Sequence, residues 1–234
     1  GTWFWNRYPG ARCDTESMEY SYQFSEELQQ EWKWSERHAT QPEILRYINH
    51  VADRFNLRPD IQCNTRVKRA TFDETVNRWV IETESGELLS VQFCVMATGC
   101  LSSPNQPDFK GLDTFEGPWY QTGLWPQEGV DFTGQRVGII GTGSSAIQSI
   151  PIIAEEAKHL FVFQRTANFS IPAHNGPLDP VEEKKIKDDY AGFRRRNNLK
   201  PAAMSIKRNP GSAVEATEEE RELEFESRWQ RGGL

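Results

Sequence analysis

The chain has 234 residues, 27 basic and 34 acidic side chains and a net charge of −7. That balance lacks the basic surface expected of a nucleic-acid binder, and no apolar run approaches the roughly 18 residues a membrane span needs. No charged-then-apolar leader opens the chain. It starts on Gly1-Thr2-Trp3 without a Met and reads as the interior of a longer sequence. The length suits one large domain or two small ones.

Residues 1–40 show no clean hydrophobic period and are rich in aromatics, Gly, Pro and charge, so they read as a long irregular segment. Trp3, Trp5 and Tyr8 crowd a polar stretch there, either to meet a flat ligand or to pack the loop. From Pro42 to Leu57, Ile44, Leu45, Ile48, Val51, Ala52 and Phe55 recur at helical spacing, with Thr40 placed as an N-cap. Short strands follow near residues 61–67, 69–73, 79–83 and 88–97, with turns at Asn77 and Ser85-Gly86. Two prolines make residues 102–107 a connector.

Arg136-Val137-Gly138-Ile139-Ile140 has the continuous apolar character of a buried parallel strand. It runs into Gly141-x-Gly143-x-x-Ala146 and a helix reaching about His159. Residues 160–163 form the next strand, completing a β-α-β unit. The G-x-G-x-x-A spacing has a mechanism. Gly141 permits the tight turn, Gly143 lets backbone approach a diphosphate, and Ala146 lets the helix pack on the strand. The helix N-terminus then offers free N–H groups to the anion. After the second strand come Gln164-Arg165-Thr166. An acidic residue there suits an NAD ribose, whereas Arg165 beside a hydroxyl suits the 2′-phosphate of NADP, the alternative being a solvated strand-end arginine. From Leu178 onward the chain is charged, with helices at residues 184–196 and 217–229 separated by 201–211. Their charge reads as solvated faces.

The four cysteines, Cys13, Cys63, Cys94 and Cys100, include no Cys-x-x-Cys pair and have no His close enough for zinc. Reduced thiols in a cytoplasmic protein are the expected state, with Cys94 a small buried hydrophobe. No metal site is expected.

Several segments together resemble the Baeyer–Villiger flavin monooxygenases, the cyclohexanone and phenylacetone monooxygenases above all. Phe115-Glu116-Gly117-Pro118-Trp119-Tyr120-Gln121-Thr122-Gly123-Leu124-Trp125-Pro126 resembles the F-x-G-x-x-x-H-x-x-x-W-P signature. Trp5-Asn6-Arg7-Tyr8-Pro9-Gly10-Ala11-Arg12-Cys13-Asp14 resembles the flavin-side loop. Residues 141–148 and 163–165 resemble the NADPH site. The signature histidine is Gln121 here; an amide keeps hydrogen bonding but carries no charge.

The resemblance implies an α/β flavoprotein with two Rossmann-like dinucleotide-binding domains. Residues 1–99 would be part of the FAD domain and 100–133 a linker with the signature. Residues 134–174 would be the NADPH-binding core and 175–234 a helical insertion. The family's FAD fingerprint would lie before Gly1 and its catalytic arginine after Leu234, so an isolated fragment would be inactive. Asp14 is the implied catalytic residue, tuning that arginine; without the family it reads as a turn or cap aspartate. Arg12 and Cys13 sit beside it. Trp5, Tyr20 and Val67 match flavin-side positions, with core packing the alternative at each. Gly141, Gly143, Ser144, Ser145, Ala146, Gln148, Arg165 and Thr166 are the implied NADPH residues, and residues 97–99 the domain crossing. The implied substrates are a ketone and O2, with no nucleic-acid or membrane partner. Two other functions fit the layout: a flavin monooxygenase acting on nitrogen or sulfur, and, for the chain alone, a non-catalytic NADPH-binding module.

Overall fold

Residues 1–101, 103–205 and 211–232 are described in the computed structural model, and they fold as two units. One joins Gly1–Tyr47 to Gln106–Leu234; the other is Ile48–Asn105. Helix α3, Gln41–Arg54, passes from the first into the second.

The smaller unit is an antiparallel meander of β1 (Val67–Asp73), β2 (Arg78–Thr83) and β3 (Leu88–Val91), in spatial order 1-2-3. Asn77 at φ 53° and Gly86 at φ 88° make the two turns, as the sequence predicts. Phe72 faces Trp79 across the first pair, with ring centroids 5.4 Å apart. Two predicted strands are corrected. Residues 61–66 are irregular, following a short 3-10 turn at Arg58–Asp60. The third strand stops at Val91 and does not reach residue 97, because Val91 pairs with Trp79 and β2 begins one residue earlier at Arg78. Phe93 and Val95 are exposed, and Cys94 is only partly buried, so it is not the core residue its apolar run suggests.

In the larger unit, β4 (Arg136–Ile140) and β5 (His159–Phe163) pair in parallel through helix α4 (Ser144–Glu156). The strand expected to be buried on both faces is covered on one. Val137 and Ile139 pack on Trp125, Phe132 and Ile153, while Arg136, Gly138 and Ile140 alternate outward. Trp125 comes from the signature segment, whose rings step from Tyr120 to Trp125 to Phe132 at 5.7 and 6.1 Å. Tyr8 packs on the same cluster, so that aromatic fills the core.

The first forty residues contain α1 (Thr2–Trp5) and α2 (Glu26–Glu31) in otherwise irregular chain. Tyr47 gathers Tyr22, Trp32 and Trp34 around it at 5.9, 5.1 and 4.9 Å. Glu43 in the first turn of α3 is buried, and it is satisfied by the backbone N–H and the hydroxyl of Ser35 at 2.8 and 2.7 Å.

The predicted helix at 184–196 is two helices, α5 (Pro180–Asp188) and α6 (Tyr190–Asn198), broken at Asp189. The Asp189 carboxylate accepts the Gly192 N–H at 3.0 Å, which starts α6 on a new axis. The solvated-face expectation fails for α6. Tyr190, Arg194 and Asn197 are buried, because their polar atoms meet the backbone and side chains of residues 18–21. Helix α7 (Glu218–Arg231) opens on a reciprocal capping box between Thr217 and Glu220. The predicted connectors at 102–107 and 201–211 include residues 102 and 206–210, which lie outside the described residues.

Candidate functional site

The G-x-G-x-x-A segment lies where the sequence places it, between β4 and α4. Gly141 sits at φ 106°, a conformation costly for any residue with a side chain, and its N–H donates to Phe163 O at 2.8 Å. Gly143 is the N-cap of α4 and has no side chain to satisfy the first-turn N–H groups. Open space surrounds both glycines at the position of a Cβ. A turn that demands glycine, a bare 13-residue helix start and room beside both fit a diphosphate.

Thr142 is fixed from the chain after β5. Gln164 donates to its hydroxyl at 2.9 Å, and Asn168 donates to its carbonyl at 2.7 Å and its hydroxyl at 3.0 Å. Arg165 and Thr166, between those two anchors, are exposed. Asn168 carries no local motif and escapes sequence reading.

The Asp14 loop packs on the other end of this helix turn. Gln148, one turn into α4, uses every hydrogen-bonding position of its amide on that loop. Its Oε1 accepts from Tyr8 OH at 2.9 Å and Arg12 N–H at 3.2 Å. Its Nε2 donates to Arg12 O at 3.2 Å and Asp14 Oδ1 at 2.7 Å. The reversed amide would set N–H against N–H and carbonyl against carboxylate. Gly10, at φ 74°, lies directly against the Gln148 backbone carbonyl.

Burial pushes the Tyr8 hydroxyl above its ordinary pKa; a Ser145 hydrogen bond opposes this and the Asp14 carboxylate reinforces it. The phenol therefore remains a donor to Gln148 at neutral pH. Burial likewise pushes the Cys13 thiol up, opposed by hydrogen bonds with Thr15. Arg12 pairs with Glu36 at 3.2 Å, and Asn175 donates to the same Glu36 oxygen at 2.5 Å.

The structure thus brings Arg12, Cys13 and Asp14 to Gln148 and the helix that also carries Ser144, Ser145 and Ala146. Trp5 is exposed at the end of α1, edge-on to Phe4, and Tyr20 receives the Trp3 indole N–H at 3.0 Å. Neither touches the Asp14 loop through a hydrogen bond. Val67 is an exposed residue of β1 opposite Thr83 in the smaller unit. Gln121 precedes the 3-10 turn Thr122–Leu124 and accepts the Leu124 N–H at 2.9 Å through its backbone. No cluster of three His, Cys, Asp or Glu among the described residues is arranged to hold a metal.

Residues 13–228 match the family model described as pyridine nucleotide-disulphide oxidoreductase. A Baeyer–Villiger monooxygenase of Pseudooceanicola batsensis is 45% identical over 233 residues, covering 100% of this chain and 43% of that protein. Cyclohexanone 1,2-monooxygenase of Acinetobacter is 40% identical, covering 100% of the chain and 43% of that protein. The solved structure of an oxidized steroid monooxygenase bound to NADP superposes with a TM-score of 0.91 at 56% identity, over 100% of this chain and 45% of that one. The chain spans less than half the length of these relatives.

Proposed function

The chain belongs to the pyridine nucleotide-disulphide oxidoreductase family, and from that premise we propose that it is an internal portion of a Baeyer–Villiger-type flavin monooxygenase, part of the FAD domain together with the NADPH domain. The whole protein would insert one oxygen atom of O2 beside a ketone carbonyl to give an ester or lactone. The observation carrying this reading is the direct bonding of the Asp14 loop to the fingerprint helix through Gln148. It sets an acidic flavin-side residue beside a nucleotide cradle, as an enzyme joining NADPH to a flavin requires.

FAD would supply the redox and oxygen chemistry, and NADPH the hydride. This chain's residues would bind and orient. Gly141, Gly143, Ser144, Ser145 and Ala146 would hold the NADPH diphosphate at the α4 start. Arg165 and Thr166 would take the 2′-phosphate, next to the anchored Thr142. Asp14, Arg12 and Cys13 would form one wall of the flavin side, with Trp5 and Tyr20 as further flavin-side positions; Val67, in the smaller unit, is assigned to the flavin side by the resemblance alone. We assign residues 1–99 to the flavin-side domain, 100–133 to the linker, 134–174 to the NADPH core and 175–234 to a helical insertion. No described helix is long and apolar enough to cross a membrane. The substrate would be a small-molecule ketone, in keeping with the names of the chain's relatives, and a cytoplasmic location is part of the same proposal.

The test supplies NADPH, O2 and either a cyclic ketone or a thioether to the complete protein and identifies products by mass. Lactone from the ketone is expected. Sulfoxide with no lactone would replace this reading with heteroatom oxidation.

A further inference from the structure

We propose that Gln148 is a positioning residue for Asp14, so that the flavin-side carboxylate is carried by the NADPH-side helix and not by its own loop. This rests on the function proposed above, and it gives Gln148 a role other than holding the cofactor.

Three observations support it. The Gln148 amide is saturated by Tyr8, Arg12 and Asp14, which leaves it no hydrogen-bonding position for a nucleotide. The loop is held to α4 at further points independent of that amide: Gly10 lies on the helix backbone, and the Tyr8 ring packs in the cluster that includes Ile153 of α4. Asp14 itself is exposed, so its placement depends on hydrogen bonds more than on packing. The loop thus follows α4 as a whole, and the Gln148 side chain ties the Asp14 carboxylate to it.

The test uses the complete protein carrying Gln148→Glu, Gln148→Leu, or Gln148→Glu together with Asp14→Asn. Gln148→Glu is nearly isosteric and keeps the acceptor for Tyr8 and the Arg12 N–H, but it sets a carboxylate oxygen against both Asp14 and the Arg12 carbonyl. The double variant restores the bond to residue 14 with donor and acceptor exchanged and leaves only the Arg12 carbonyl opposed. Amide hydrogen exchange is read across residues 8–14 without cofactor. Both single variants should exchange about tenfold faster there, and the double variant should return to within about threefold of wild type. In turnover, Gln148→Glu should lower kcat for the oxygenated product about tenfold while the NADPH KM stays within about threefold.

Unchanged exchange in the single variants, or no recovery in the double variant, overturns the proposal. So does a tenfold rise in NADPH KM at unchanged kcat, the signature of a cofactor contact. Gln148→Leu answers the exchange question should the glutamate variant not fold. A wild-type protein that makes no ester or lactone would defeat the functional reading, and the exchange data would still decide the positioning role.

Discussion

Gly10 and Gln148 meet backbone to backbone: at φ 74°, the Gly10 Cα leaves no room for a methyl group before the Gln148 carbonyl. Gly10→Ala therefore combines left-handed strain with a clash against a rigid helix, together costing about 2–4 kcal/mol. Gly86, at φ 88° in the β2–β3 turn, has open space around it. Gly86→Ala should cost only the conformational part, about 1 kcal/mol. Urea unfolding of the two variants checks the difference, and equal losses would show that the Gly10 contact is not a stabilising one.

Arg165 is exposed beyond β5, beside the Gln164 and Asn168 anchors on Thr142. If it reads the 2′-phosphate, Arg165→Ala loses a charge-assisted hydrogen bond of about 1.5–3 kcal/mol, or roughly 10- to 100-fold in NADPH affinity. NADH binding should not change. Calorimetry with both nucleotides decides it: parallel losses would show that Arg165 does not read the 2′-phosphate, and no loss of either would remove it from the site.

His38 is 5% exposed. Burial holds its pKa below the ordinary 6.5; the Glu16 carboxylate opposes this and Arg37 assists it. The folded state thus binds the His38 proton more weakly than the unfolded state. The resulting stability is complete above the unfolded value and is lost as pH falls from 6.5 toward the folded pKa. His38→Phe should flatten the dependence of unfolding free energy on pH in that window. An unchanged slope would exonerate His38.

Arg194 is 7% exposed and donates to Glu19 O, Ser21 O and the Ser21 hydroxyl at 2.8, 3.2 and 2.6 Å. Arg194→Ala leaves those acceptors buried and should cost about 2–4 kcal/mol. Lys184 pairs with Asp188 on the surface of α5, and Lys184→Ala should stay within about 0.5 kcal/mol. Thermal unfolding separates them.

What the sequence discloses here is what short-range physics dictates. The glycine turn, α4 and the β-α-β order are legible because each depends on residues within a few positions. Asn77 and Gly86 mark their turns for the same reason. The extent of β3 is not legible, because the apolar run at 93–97 resembles a strand whether or not a partner exists to pair with it. Helix α6 misleads in the opposite direction. Its buried stripe, Tyr190, Arg194 and Asn197, has helical spacing but polar chemistry, and its partners are backbone and side-chain groups of residues 18–21. Hydropathy does not detect a face that docks by hydrogen bonds. At the site, Arg12, Cys13, Asp14 and the fingerprint are legible, whereas the use of the Gln148 amide depends on contacts 134 to 140 positions away.

Those separations also bear on how the chain acquires its fold. Tyr8 waits for Gln148, 140 positions later, and Met18 for Tyr190, 172 positions later. At ribosomal rates of about 5–20 residues per second, the opening segment spends on the order of ten seconds or more outside the tunnel before its partners emerge. During that interval the Tyr8 hydroxyl lacks the Gln148 amide that it meets in the folded chain. Contacts of such long sequence separation close late, and slow folding should accompany them.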